Sequence, residues 1–164
     1  MVWMRLAIAA LALVMAPLSV SAGSANPSDG SGTLVGPERL NVPKCGHETD
    51  PLSVDVTLSN GTWSGNGLSG TAVPLNEQRR HFDLAFSPGS LATFEDRLED
   101  WASELCGLPV TITSSETKRF KLKFNKTLEQ ARVLLNLKAE GFTEEGVGKG
   151  IYKLKITGHW VVAD

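Results

Sequence analysis

Apolar and polar residues alternate along most of this chain, which is the period-two pattern of strands with one buried and one solvated face. The stretch LSVDVTL, for example, places its apolar residues on one side and its polar residues on the other. The same alternation recurs in RHFDLAF, in VTIT after Pro109, and in KRFKLKF, ARVLLNLK and IYKLKITGHWVV. A seventh strand is expected in TWSGNGLSGTAV, where glycines between Gly61 and Gly70 weaken the pattern.

One segment has a different period. From Leu91 to Leu105, apolar residues recur at spacings of three and four, which predicts one stripe of an amphipathic helix. Ser90 is expected to cap its start, and Gly107 to follow its end, so that the helix covers residues 91–106. Its opposite face is acidic and carries Glu95, Asp96, Glu99, Asp100 and Glu104.

The order of these elements is three strands, one helix and four strands, joined mostly by short turns. Such an order predicts a mainly β (α+β) fold: an antiparallel sandwich or small barrel of about seven strands, with the amphipathic helix packed on or across it. We expect residues 41–164 to form this single antiparallel β-rich domain.

The N-terminus has the layout of a secretory signal peptide over residues 1–22: a short basic region, an apolar run and small residues. The apolar run is shorter than the roughly 20 residues of a membrane-spanning helix. Residues 23–40 are rich in Gly, Ser and Pro and are predicted to be a flexible leader. We therefore expect an exported protein, periplasmic or secreted, with no transmembrane segment in the mature chain.

Export favours a disulfide between the chain's two cysteines, Cys45 and Cys106. Closing that loop would stabilise the fold by about 4 kcal/mol in the chain-entropy model. His47, Glu48 and Asp50 follow Cys45 in KCGHETD and could be metal ligands by type. However, the C-x-H spacing is not that of a usual structural zinc pair, and no second ligand pair follows. The sequence therefore predicts no metal site and no cofactor.

Charge is distributed unevenly. The whole chain has a net charge of −2, yet residues 117–164 contain 10 basic and 5 acidic residues. Seven of the basic residues fall at outward positions of three successive predicted strands. We call these seven the basic face: Arg119, Lys121, Lys123, Arg132, Lys138, Lys153 and Lys155.

Three interpretations of the basic face stay open. Its lysines could simply keep strands soluble and discourage edge pairing. They could bind an anionic partner, such as lipid headgroups, acidic polysaccharide or an acidic protein. They could also lie against the acidic helix. Nucleic acid is not expected, because few exposed aromatic residues stand beside the lysines and an exported protein does not meet it.

Few residues suggest catalysis. His81 and Asp83 lie on the polar face of one strand, and His159 lies at a polar position of the last strand. If folding brought the three together, they could bind a metal or move a proton; otherwise they are solvated strand residues. No G-x-S-x-G or dinucleotide motif occurs, and GVGKG lacks P-loop spacing and is predicted to be a hairpin turn. No catalytic residue is therefore assigned.

Most aromatic residues fall at inward positions, but Trp63 lies among glycines in NGTWSGNG and is expected to be an exposed contact for a sugar ring or a partner. A curled sheet closed by one helix could also leave an apolar cavity. The sequence thus predicts an exported, non-catalytic binding or envelope-associated domain. It would contact an anionic partner through the basic face or hold a small apolar ligand. The alternative is a small metal-dependent or hydrolytic enzyme using His81, Asp83 and His159.

Overall fold

A computed structural model describes residues 27–164. The predicted signal peptide and the first residues of the predicted leader lie outside the described residues. The strands are β1 (Gly30–Val42), β2 (Gly46–Ser59), β3 (Thr62–Gly65), β4 (Leu68–Pro74), β5 (His81–Phe86), β6 (Thr111–Phe124), β7 (Gln130–Thr143), β8 (Gly146–His159) and β9 (Val161–Val162). One helix, α1 (Pro88–Cys106), connects β5 to β6.

The first eight strands close into a barrel. Each strand pairs antiparallel with the next one along the chain, and β8 pairs back with β1. The short strand β9 pairs with the start of β1. The prediction of a mainly β fold with one helix is confirmed, in its barrel form. Closure gives every one of these eight strands two neighbours, although β2 pairs with β3, and β6 with β5, over only four and three residues.

Unequal strand lengths position the helix. Strands β1, β2, β6, β7 and β8 have 13 or 14 residues, whereas β3, β4 and β5 have between four and seven. The long strands therefore extend past the short ones at one end of the barrel, where β1 and β7 finish and β6 and β8 begin. The helix lies across this end, which we call the helix end, and buries Phe94, Leu98 and Trp101 towards the interior.

Inward-facing side chains from all eight barrel strands form the core. Aromatic rings connect the helix to the barrel wall. The ring centroid of Phe86 lies 5.2 Å from that of Phe94 and 4.7 Å from that of Phe120. Trp63 packs edge-on against Phe120 at 5.0 Å. Such offset and edge-on pairs contribute beyond their buried area, so this cluster anchors the helix on the barrel.

The prediction of a flexible leader over residues 23–40 is wrong from Gly30 onward, because β1 begins there. The residue before this strand is already anchored. Asp29 Oδ2 accepts a hydrogen bond from the Asn60 amide at 3.0 Å, and its carbonyl oxygen accepts one from the Ala163 amide at 2.8 Å. These bonds connect the start of β1 to the β2–β3 turn and to the C-terminal segment.

The glycines that suggested a leader lie where β1 crosses the end of β8. A Cβ atom on Gly32 would stand 2.2 Å from the carbonyl oxygen of His159, and one on Gly36 would stand 2.2 Å from that of Lys155. Only glycine allows the two backbones to approach so closely. The glycines that suggested a flexible segment therefore allow β1 to approach β8 and close the barrel.

Three element boundaries also differ from the prediction. TWSGNGLSGTAV forms two strands, β3 and β4, because Asn66 and Gly67 adopt the left-handed conformation of a tight turn between them. KRFKLKF and the last three residues of VTIT belong to one continuous strand, β6. The helix begins at Pro88, and its cap is Ser87 rather than Ser90, with Pro88 suited to the first turn.

Candidate functional site: an apolar cavity at the helix end

An apolar cavity of about 390 Å³ lies at the helix end, between α1 and the extended parts of β6, β7, β8 and β1. Leu40, Leu137 and Tyr152 are buried lining residues from the barrel strands. Leu98 and Ala102 contribute a wall from the helix. The volume falls within the roughly 300–1,000 Å³ range of small-molecule sites.

The cavity exists because very small residues face inward here. Ala139 is paired with Gly150, and Gly141 with Gly148, and all four line the cavity. A Cβ atom on Gly148 would meet no other atom within 4 Å. Further along the same two strands, the inward positions carry Leu, Val and Ile and fill the barrel. An eight-stranded barrel can be filled by side chains or hold one small ligand, and this one is filled towards one end only.

Polar side chains of the cavity lining come from its mouth. Lys44 belongs to the β1–β2 turn, Glu145 to the β7–β8 turn, and Thr143 and Lys149 to the adjoining strand ends. Lys149 Nζ is also paired with Glu140 Oε1 at 3.2 Å on the outer surface. An apolar molecule could therefore lie inside with a polar end towards solvent, which is the usual division of such sites.

The predicted disulfide is confirmed: Cys45 and Cys106 are bonded, with their Cα atoms 4.9 Å apart. Both cysteines line the cavity. The bond joins the β1–β2 turn to the last residue of α1 and thereby fixes the helix relative to the mouth. Such a bond is compatible with an exported protein. No helix in the described part of the chain is both long and apolar enough to cross a membrane.

The polar residues after Cys45 have structural partners. Glu48 Oε2 accepts a hydrogen bond from the Trp101 indole nitrogen at 2.6 Å, which ties β2 to the helix. Within residues 27–164, no group of three or more His, Cys, Asp or Glu side chains is placed to hold a metal ion. The stretch KCGHETD therefore contributes a disulfide and a helix anchor to the fold.

A buried polar network connects the lining residue Tyr152 to the helix. The Tyr152 hydroxyl donates to Glu38 Oε2 at 2.7 Å, and the Arg97 guanidinium donates to Glu38 Oε1. Glu38 and Tyr152 are both almost completely buried. Burial, followed by the charge of Glu38, raises the pKa of Tyr152 above its usual range. Tyr152 therefore remains a neutral hydrogen-bond donor.

Sequence reasoning missed this network, because Glu38 was assigned to the leader. A signal was nevertheless present. In a strand, Glu38 would share its face with Leu34 and Leu40, two residues that the structure buries. An acidic residue at an inward position requires a partner, and Arg97 and Tyr152 supply one each.

The prediction that Trp63 is an exposed aromatic contact is wrong. Trp63 is 6% exposed, and its indole nitrogen donates to the Ala85 carbonyl oxygen at 2.9 Å. Gly70 lies directly opposite on β4, where a Cβ atom would come within 2.8 Å of the indole nitrogen. The surrounding glycines thus make room for a buried indole ring.

The basic face has the predicted arrangement in space, since β6, β7 and β8 are neighbours and its residues occupy outward positions. Lys123 is directly opposite Arg132, and Lys153 is opposite Asn136. Arg39 of β1 is opposite Lys153 and extends the face to a fourth strand. Sequence reasoning missed Arg39 because β1 was assigned to the leader.

Most of these charges are not neutralised by the rest of the fold. Among residues 27–164, only Lys121 of the seven forms an ion pair, with Asp83 Oδ1 at 3.6 Å. The acidic helix makes other contacts: Glu95 accepts from the Ser115 hydroxyl, and Glu99 Oε1 accepts from the Ile112 amide at 2.6 Å. The helix therefore lies against the start of β6, but within residues 27–164 it forms no ion pair with the basic face.

The structure separates the three residues considered for catalysis. His81 and His159 line a groove at the opposite end of the barrel, but Asp83 does not. Three strand spacings of about 4.8 Å separate β5 from β8, or roughly 14 Å along the sheet. No metal-binding group forms from these residues within the described chain.

Comparison with protein-family models, with curated proteins and with solved structures finds no match to this chain, so its function is inferred from the geometry above.

Proposed function

We propose that this protein is an exported, non-catalytic binding protein that holds one small apolar molecule at the helix end of its barrel. The cavity of about 390 Å³ is the observation that carries the proposal. Its interior is lined by leucines, alanines and inward-facing glycines, whereas its charged side chains come from the mouth. This combination suits a ligand with an apolar body and a polar end near solvent.

Two features support export to the periplasm or the medium. The N-terminal sequence has the layout of a signal peptide, and the only two cysteines of the chain are joined in a disulfide. The disulfide also borders the cavity mouth. A reducing compartment would therefore remove a constraint on the proposed binding site itself.

Binding is favoured over catalysis because the buried polar groups near the cavity satisfy each other. Tyr152 and Arg97 both bond to Glu38. Among the described residues, the one carboxylate of the cavity lining is Glu145, which lies in the β7–β8 turn at the mouth, and no histidine or aspartate lines the cavity beside it. The enzyme alternative would need Asp83 beside His81 and His159, but Asp83 is paired with Lys121.

The proposal is tested by titration with N-phenyl-1-naphthylamine, a neutral fluorescent probe that the basic face does not attract. Wild-type protein should bind one equivalent with an increase in fluorescence. Gly148→Leu should lower the affinity at least tenfold, because the new side chain would occupy the open space next to Gly148. Filling an apolar cavity should not destabilise the protein.

Gly89→Leu is the matched control. A Cβ atom on Gly89 also meets no other atom within 4 Å, but Gly89 is exposed on the first turn of α1 and does not line the cavity. The affinity of the Gly89→Leu variant for the probe should equal that of the wild type. Equal affinities for wild type and Gly148→Leu, or no binding by the wild type, would reject the proposal.

A further inference from the structure

At the end of the barrel opposite the cavity, the basic face runs into a groove of about 480 Å³. Its polar side chains include His81, Lys123, Gln130, Arg132, Thr157 and His159. We infer that this groove is an oxyanion site that binds a phosphate or sulfate group. The site does not depend on the proposed apolar ligand, and it assigns a specific location to the anionic-partner interpretation of the basic face.

Strand register brings two cationic side chains and one imidazole together. His81 of β5 is directly opposite Lys123 of β6, and Lys123 is directly opposite Arg132 of β7. All three occupy outward positions, and neighbouring strands are about 4.8 Å apart. An oxyanion above Lys123 would therefore have a point charge beneath it and the planar fork of Arg132 beside it. That fork matches the geometry of phosphate oxygens.

Further polar side chains border the same place. Thr157 is opposite Arg132, and His159 is opposite Gln130. The turn that precedes Gln130 is held in place, because the Gln130 amide donates to Asn125 Oδ1 at 3.1 Å and the Gln130 carbonyl accepts from the Asn125 amide at 3.0 Å. Donors that stand on strands and on a fixed turn need little reorganisation to bind a ligand.

The local charge favours an anion. No carboxylate in the described chain lines the groove, and neither Lys123 nor Arg132 has an ion-pair partner among residues 27–164. Asp83 lies two residues from His81 but is paired with Lys121. Glu129, which precedes Gln130, accepts a hydrogen bond from the Thr127 hydroxyl at 2.8 Å.

Barrel closure weakens the alternative that these lysines only prevent edge pairing. Charged residues protect exposed edge strands from pairing with other chains. Lys121 and Lys123 lie in the part of β6 that is paired with both β5 and β7, and Arg132 lies on β7 between β6 and β8, so these three positions have no edge to protect. Two cations without ion-pair partners at such positions, Lys123 and Arg132, therefore favour recognition of an anion.

The test is an NMR titration of the full exported chain with inorganic phosphate and with glycerol phosphate, each at constant ionic strength. Saturable shifts are expected at the amides of Lys123, Arg132 and His159. Lys123→Gln/Arg132→Gln should weaken binding at least tenfold. Lys138→Gln/Lys153→Gln removes the same charge from the same face near its other end and should weaken binding less than threefold.

Equal weakening by the two double variants would mean that overall charge alone attracts the anion, and it would overturn the site. So would the absence of saturation for both compounds. Tighter binding of glycerol phosphate would identify an ester carried by a larger molecule, whereas equal affinities would identify the oxyanion alone as the ligand. Both double variants should bind the neutral cavity probe with wild-type affinity. A failure of the oxyanion site can therefore be told apart from a failure of the proposed cavity function.

Discussion

The hydroxyl group of Tyr152 should resist ionisation until the protein unfolds. Tyr152 is the only tyrosine in the chain, so the absorbance of phenolate at 295 nm reports on this group alone. Burial and the charge of Glu38 raise its pKa above the value of about 10 that it has in an unfolded chain. We therefore expect no phenolate signal from the folded protein at pH 10 to 11.

The consequence for stability follows from the sign of this pKa difference. Near pH 10, only the unfolded chain releases the tyrosine proton. The contribution of the neutral hydroxyl to the free energy of unfolding is therefore fully present well below pH 10 and is lost as the pH rises. Each pH unit above 10 lowers the free energy of unfolding by up to about 1.4 kcal/mol. Between pH 10 and pH 12 the loss from this group is about 2.3 kcal/mol, because half of the unfolded chains have already released the proton at pH 10.

Comparison with the Tyr152→Phe variant separates the alkaline loss of stability caused by Tyr152 from any loss caused by the lysines. The variant keeps the ring that packs edge-on against Phe94 at 5.1 Å but loses the hydrogen bond to Glu38. At pH 7 it should be less stable than the wild type by about 1.5–3 kcal/mol, the usual range for a hydrogen bond to a charged group. Between pH 9 and pH 11, however, it should lose less stability than the wild type.

The assay combines absorbance at 295 nm and far-ultraviolet circular dichroism during an alkaline titration with urea unfolding at pH 7, 9 and 11. The phenolate signal of the wild type should rise together with the loss of circular dichroism. A phenolate transition near pH 10 in protein that keeps its native circular dichroism would refute the buried Tyr152–Glu38 contact.

Two further predictions concern the disulfide and the indole ring of Trp63. Cys45→Ala/Cys106→Ala should lower the free energy of unfolding in urea by about 2–5 kcal/mol, since a loop with a separation of 61 residues is no longer closed; a loss below about 1 kcal/mol would contradict this account. Trp63→Ala should cost about 3–5 kcal/mol because the ring is buried, whereas a loss within about 0.5 kcal/mol would indicate an exposed ring.

The parts of the fold that could be predicted were those with regular alternation. Strands β2, β5, β7 and β8 each contain a stretch with large apolar residues at every second position, and the spacing of Phe94, Leu98 and Trp101 specifies the helix face. The basic face followed from the same pattern, because β6, β7 and β8 are joined by short turns and therefore lie side by side.

Glycine accounts for the main errors. It marks flexible segments, but it also marks places where two backbones or a large ring approach closely. In β1, Gly32 and Gly36 allow the close crossing with β8, and in β4, Gly70 makes room for Trp63. The sequence alone does not distinguish these uses, because the atoms that each glycine must avoid come from distant positions in the chain.

The cavity was hard to predict for a related reason. The stretch GVGKG was predicted to be a hairpin turn, but the turn is completed at Gly146, and Gly148 and Gly150 continue into β8. Their missing side chains leave space only because β7 places Ala139 and Gly141 opposite them. The groove was hard to predict for the same reason. It forms where the ends of β5, β6, β7 and β8 lie side by side, and this depends on the register of the strands in the closed barrel.

The central claim, that the cavity binds an apolar molecule, is tested most directly by methyl NMR during titration with the neutral probe. We expect intermolecular nuclear Overhauser contacts from the probe to Leu40, Leu98 and Leu137, saturating at one equivalent. Contacts confined to exposed apolar residues away from the cavity, such as Val73 and Leu75, would contradict the claim.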